Sequence, residues 1–196
     1  MIDFTAMQLP VPGSDYQWQR LQRWAIICWL AFYLLFLLHA YHQHGGQTWF
    51  DAANLVTHES GHLLFGYLGN ETIMVWGGTI MQLLVPFLLA TSFAWRGQTA
   101  GVIFCSFFFF ENFIGIALYM ADARARNLPL VSPGMASDEI TGHDWNYIFS
   151  HLGLLAYDTR IADVVRIAGW LGMLGVVGVL VWMLAQQEQM VEEVTP

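Results

Sequence analysis

Residues 48 to 69 read TWFDAANLVTHESGHLLFGYLG. At a rise of 1.5 Å per residue this stretch is long enough to cross a hydrocarbon core about 30 Å thick. It nevertheless carries Asp51, Asn54, His58, Glu59 and His62. Polar and ionisable side chains are costly against lipid, so such a segment must turn them toward protein or a wet cavity. His58 and His62 stand four residues apart, on one face of a helix and about one turn from each other. Both imidazoles can then reach a single cation, while Glu59, one step round, is placed to take a proton from attacking water. Counted from Thr48, His58 lies about ten residues in, which predicts a depth of roughly 15 Å, near the bilayer midplane.

The rest of the chain agrees with a membrane setting. Of its 196 residues, 56% are hydrophobic, 15% aromatic and only 11% charged, whereas soluble domains average about 45–50% apolar and about 25% charged. The fold class predicted is therefore all-α and polytopic. Apolar windows of about 20 residues give spans from Trp24 to about Tyr41, Thr72 to Trp95, Thr99 to Ala121 and Val164 to Leu184. With the HExxH segment as the second, that makes about five transmembrane helices. The first apolar run has no small-residue cleavage site after it and reads as an anchor. The chain has no lysine and a net charge of −8, which argues against nucleic acid as a partner. Cys28 and Cys105 fall in apolar stretches and read as packing residues.

Five spans with the N-terminus inside place Arg20, Arg23, Arg124, Arg126, Arg160 and Arg166 on the cytoplasmic side, with Arg96 alone outside, as the positive-inside rule prefers. The C-terminus then emerges outside. The chain reads as a single membrane domain, with residues 1–23 as an interfacial segment, 122–163 as a cytoplasmic loop and 185–196 as an acidic tail. The loop holds breakers at Pro129, Pro133 and Gly134, then Gly142-His143-Asp144-Trp145 and an amphipathic stretch, NYIFSHLGLLAY, expected to lie as an interfacial helix. A catalytic zinc takes three protein ligands and keeps one open position. The loop offers His143, Asp144, His151 and Asp158, of which His143 and Asp144 are the better candidates, one as ligand and the other as its hydrogen-bonded support.

Other polar features have plainer readings. Glu111 and Asn112 interrupt the fourth span; Glu111 is expected to support a ligand imidazole or to sit protonated against Asn54. Asp122 and Arg126 have the i, i+4 spacing of a surface pair. Gly77-Gly78-Thr79, with Gln82 and Pro86, marks either a backbone exposed to an extended substrate or a helix kink. His39, His42 and His44 read as interfacial, with His39 the one conceivable haem or chlorin ligand. Gly169, Gly172, Gly175 and Gly178 form a stripe that admits a neighbouring helix, within the domain or in a dimer.

Through His58-Glu59-Ser60-Gly61-His62, the following GGTIMQLLVP stretch and the later acidic loop motif, the chain resembles the site-2-protease-like integral membrane zinc metallopeptidases. It also looks like a group of small bacterial membrane proteins sharing MQLLVP, ADARA, LPL and HDWNYI, over about Asn54 to Tyr157. The resemblance implies zinc as cofactor, His58 and His62 as ligands, Glu59 as the base, and transmembrane or membrane-proximal peptides as substrates. It also implies a bacterial inner membrane location. The family's later Asn-x-x-Pro and Asp-Gly elements are absent, which leaves the third ligand open among His143, Asp144 and Glu111. The rival reading is a non-catalytic metal-, haem- or pigment-binding subunit of a larger membrane complex. Beyond membrane lipid, a homo-oligomer or such a complex is the expected assembly.

Overall fold

The computed structural model describes residues 18–43, 48–128 and 142–194; most of the segment 1–23, His44 and the breakers Pro129, Pro133 and Gly134 lie outside them. Six helices follow in order: α1 (Arg23–His42), α2 (Asp51–Gly66), α3 (Glu71–Trp95), α4 (Thr99–Ala121), α5 (Asp144–His151) and, after a 3₁₀ turn at Leu155–Tyr157, α6 (Asp158–Val194). Among the described residues there is no strand. Among the described residues four helices, α1, α3, α4 and α6, are long and apolar enough to cross a membrane, so the architecture is that of an all-α, multi-pass membrane protein. The acidic tail continues α6 as helix.

Local chemistry explains the element ends. Gly69 adopts φ +69° between α2 and α3, a left-handed turn that glycine takes without penalty. Asn70 then caps α3 by accepting from the Ile73 amide at 3.0 Å, as N-cap residues do. At the end of α4 the Asp122 carboxylate accepts from the amides of Asn127 and Leu128 at 2.9 and 3.0 Å. This tight turn replaces the Asp122–Arg126 pair expected from spacing. Arg124 instead reaches the fully buried Asp158 at the start of α6, with Nε to Oδ2 2.8 Å, tying the exit of α4 to the entry of α6.

Two apolar cores hold the bundle. In one, Ile26, Tyr33 and Phe36 of α1 meet Ile103 and Phe107 of α4 and Met173 and Leu180 of α6, with the Tyr33 and Phe107 rings stacked at 4.1 Å. In the other, Val75, Ile116, Met120, Trp145, Ile148, Phe149 and Ala162 join α3, α4, α5 and α6. The amphipathic stretch is thus helical in its first half, but its apolar face closes one end of the bundle. The glycine stripe divides: a Cβ on Gly169 or Gly172 would run into Phe113 or Phe110 of α4, whereas Gly175 and Gly178 face open space.

The path of the chain corrects the expected topology. At the start of α1, the Gln19 amide donates to the Gly97 carbonyl at 2.8 Å, Thr99 donates to the Gln19 carbonyl, and Gln187 of α6 donates to the Leu21 carbonyl. The beginning of α1, the α3–α4 turn and the end of α6 therefore share one end of the bundle. Five alternating spans would instead put the start of α1 and the end of α6 at opposite ends. The physical cause of the difference lies in α2. Phe50 packs on Phe108, and Thr48 and Asn54 bond Glu111 in the middle of α4, so α2 starts halfway down the bundle and continues in the direction of α1 without reversing. Arginine is then nearly balanced, with Arg20, Arg23 and Arg96 at one end and Arg124, Arg126, Arg160 and Arg166 at the other.

Single cysteines at Gln98 and Gln187, in a background lacking Cys28 and Cys105, should label from the same side of sealed vesicles, and cysteines at Asn127 and Gly153 from the opposite side. Labelling of Gln98 and Gln187 positions from different sides would restore the five-span path.

Candidate metal centre

The HExxH segment of α2 lies against the first half of α3 at unusually short range. A Cβ placed on Gly61 would stand 2.2 Å from the Gly77 carbonyl oxygen, and one on Gly77 would stand 2.8 Å from the Gly61 oxygen. Only glycine permits that backbone approach. The Gly-Gly pair of α3 is a packing surface: α3 stays helical through it, and both glycines are buried.

This contact orients both histidines. His62 Nδ1 lies 2.9 Å from the Met74 carbonyl and His58 Nδ1 lies 3.1 Å from Gln82 Oε1. A carbonyl oxygen only accepts, so each Nδ1 carries the proton and each Nε2 presents a lone pair. The two Nε2 atoms are 3.0 Å apart. Asp144 Oδ2, at the start of α5, lies 2.9 Å from the first and 3.0 Å from the second. Three electron-pair donors thus converge on one point, and a single proton can serve only one of their three contacts. A cation serves all three, and this donor set is of the kind that holds a divalent metal with two imidazoles and one carboxylate. Gly78 completes the cradle, since a Cβ there would lie 2.6 Å from His62 Nε2 and 2.7 Å from His58 Nε2.

Of the sequence candidates, Asp144 joins the pair and His143 does not. His143 is buried and caps α5, its Nδ1 accepting from the Asn146 amide at 3.3 Å. Its Nε2 then carries the proton and faces Asp122 Oδ2 at 3.4 Å. Burial pushes this imidazole below its ordinary pKa against the pull of Asp122 and Asp144, which keeps it neutral and fixed in that tautomer. The ring lies on Tyr119, with centroids 4.2 Å apart, and the Tyr119 hydroxyl accepts from the Asp144 amide at 3.1 Å. Trp145 is buried against Trp76, with ring centroids 5.8 Å apart. The helix start is thereby held from three sides, and Asp144 with it.

Glu59 is half-buried beside the cluster and has no hydrogen-bond partner among the described residues. Of the two expectations for Glu111 the contact with Asn54 is the one found: Glu111 accepts from Asn54 and from Thr48 in mid-bundle, and neither Glu111 nor Asn54, the other candidate support, bonds His58, His62 or Asp144 among the described residues. His151 bonds the Tyr147 carbonyl and Asp158 bonds Arg124, both away from the cluster. His39 stacks on Trp49 at 5.2 Å. The supports that sequence reading did not assign are Gln82, the Met74 carbonyl and Tyr119. The donor nitrogens lie against Gly78, seven residues after the first residue of α3 and about 10 Å along its axis, and the His58 ring lies 6.0 Å from Tyr119, two residues from the end of α4. No protein-family model, curated protein or solved structure matches the chain.

Replacing Gly78 with Ala should abolish stoichiometric metal, because the methyl enters the space between the donor nitrogens. Asp144→Ala should do the same, while His143→Ala should weaken metal affinity by about 10- to 100-fold, as loss of a supporting group does. Elemental analysis and competition with a chromophoric chelator check all three; severe loss in His143→Ala with full retention in Asp144→Ala would reverse the assignment.

Proposed function

We propose that this chain is a membrane-embedded zinc metallopeptidase of the bacterial inner membrane that cleaves peptide bonds in or close to the bilayer. The observation that carries the reading is the convergence of His58 Nε2, His62 Nε2 and Asp144 Oδ2 within 3.0 Å of one another, beside the Glu59 carboxylate, which has no hydrogen-bond partner among the described residues. Two imidazoles and one carboxylate form the donor set of catalytic zinc sites that keep a fourth position open. When bound, zinc would supply Lewis acidity toward the scissile carbonyl and lower the pKa of water to about 7.

The chain's own groups account for the rest. His58, His62 and Asp144 hold the ion, and Gln82 and the Met74 carbonyl fix the imidazole tautomers that binding requires. Glu59 takes the proton of the attacking water and returns it to the departing amide nitrogen as the C–N bond breaks, the general acid–base role that its free carboxyl suits. The half-open burial of Glu59 and His62 supports access from one end of the bundle. That position favours a segment lying at or just inside the membrane surface as substrate, presented by lipid-embedded peptides.

His58→Ala and His62→Ala should each lose stoichiometric zinc, whereas Glu59→Gln should retain the metal and lose about 10²- to 10⁴-fold of hydrolytic activity, the usual contribution of a general base. Zinc content of purified variants, with cleavage of a quenched fluorescent peptide bearing an apolar helix, separates the roles. Metal loss in Glu59→Gln, or full occupancy in both histidine variants, would defeat the proposal.

A further inference from the structure

The Tyr119 hydroxyl occupies a position that Asp144 alone does not explain. Tyr119 lies two residues from the end of α4, its ring 6.0 Å from that of His58 and 4.2 Å from that of His143. Its oxygen accepts from the amide of Asp144 at 3.1 Å, the residue whose carboxylate touches both ligand imidazoles. That bond uses a lone pair of the phenol and leaves its proton free. Among the described residues no acceptor takes it. A partly buried phenol O–H beside the reacting centre, fixed in place from two sides and with its proton unspent, is a preorganised donor.

We propose that Tyr119 is a catalytic residue that donates this hydrogen bond to the scissile carbonyl oxygen as negative charge develops on it; the assignment rests on the hydrolytic reading above. The step balances with water as the only co-reactant. The water oxygen forms a bond to the carbonyl carbon, its proton goes to Glu59, and the carbonyl π pair moves onto the oxygen that Tyr119 faces. When that pair returns, the C–N bond breaks and the nitrogen takes the proton from Glu59. Tyr119 keeps its own proton throughout, so its contribution is stabilisation of charge present in the transition state and absent from the bound peptide. Such an interaction raises kcat and leaves KM nearly unchanged. His143 and the Asp144 amide act as positioning groups for the phenol, the former through ring contact and the latter through its N–H.

Tyr119→Phe tests the assignment in the full-length, zinc-loaded protein, with three readouts on the same preparation. Zinc content and melting temperature should stay close to wild type, kcat on the quenched apolar peptide should fall about 10²- to 10³-fold, the scale for removing one such donor, and KM should change little. A phosphinic analogue of that peptide, whose tetrahedral P–O⁻ group stands in for the charged carbonyl oxygen, should lose affinity by a similar factor, whereas the uncleaved peptide should not. If zinc is lost in parallel with activity, Tyr119 only positions Asp144 and the assignment is overturned; kcat within about threefold of wild type overturns it too. If zinc-loaded wild-type protein cleaves nothing while binding the phosphinic analogue no better than the peptide, the hydrolytic reading itself fails and the role of Tyr119 falls with it.

Discussion

The backbone contact between Gly61 and the Gly77-Gly78 pair is the constraint from which the rest of the site follows. Two helices whose carbonyls and α-carbons touch cannot slide or rotate without a clash. Because they cannot, the Met74 carbonyl and the Gln82 amide arrive opposite the two Nδ1 atoms of the HExxH turn. The helix pair therefore specifies tautomer as well as position: it forces both lone pairs to the same side, where they repel one another and the Asp144 carboxylate unless a cation lies between them. An apolar pair of helices at ordinary separation, about 8–10 Å between axes, would leave room for side chains there and lose this specification.

The third donor is supplied by a different part of the fold, and its delivery shows how the second core works. Trp145, Ile148 and Phe149 bury one face of α5 against α3, α4 and α6. His143 caps the helix, Asn146 Nδ2 donates to the Ala123 carbonyl at 2.7 Å, and Asp122 holds both the turn after α4 and the edge of His143. Asp144 is consequently fixed by packing that contains no ligand. The donor triangle is held between two independently anchored bodies, the α2–α3 pair and the α4–α5 corner, whose separation sets the size of the ion that fits.

The membrane class, the apolar helices and the paired histidines of one helical turn were all legible in the sequence, because each is written in local pattern: runs of apolar residues and a four-residue spacing. The HDW element was legible as the segment that brings a third donor to the two histidines. The choice of Asp144 over His143 was not, since it depends on which residue begins α5 and which becomes its cap. The supports Gln82 and Met74 were hidden for a related reason; a backbone carbonyl carries no sequence signal, and a glutamine in an apolar helix has many uses. Topology misled most. Counting spans assumes that each apolar segment reverses the chain, whereas α2 starts beside the middle of α4 and runs on in the direction of α1. Nothing in the composition of residues 43–50 distinguishes a continuation from a turn-back.

That mid-bundle start gives Glu111 a meaning its distance from the ligands conceals. The first turn of α2 has unsatisfied amides and the positive end of a helix dipole, here placed where water is scarce, and Thr48 and Asn54 both bond one carboxyl of α4. Glu111 is thus a mooring point that sets the axial register of α2, and Asn54 stands one helical turn before His58. Register along a helix is also rotation, at about 100° per residue. The group that decides which way the two imidazoles point therefore sits in the dry interior, a full turn from the nearest ligand, and belongs to a helix that contributes no ligand at all.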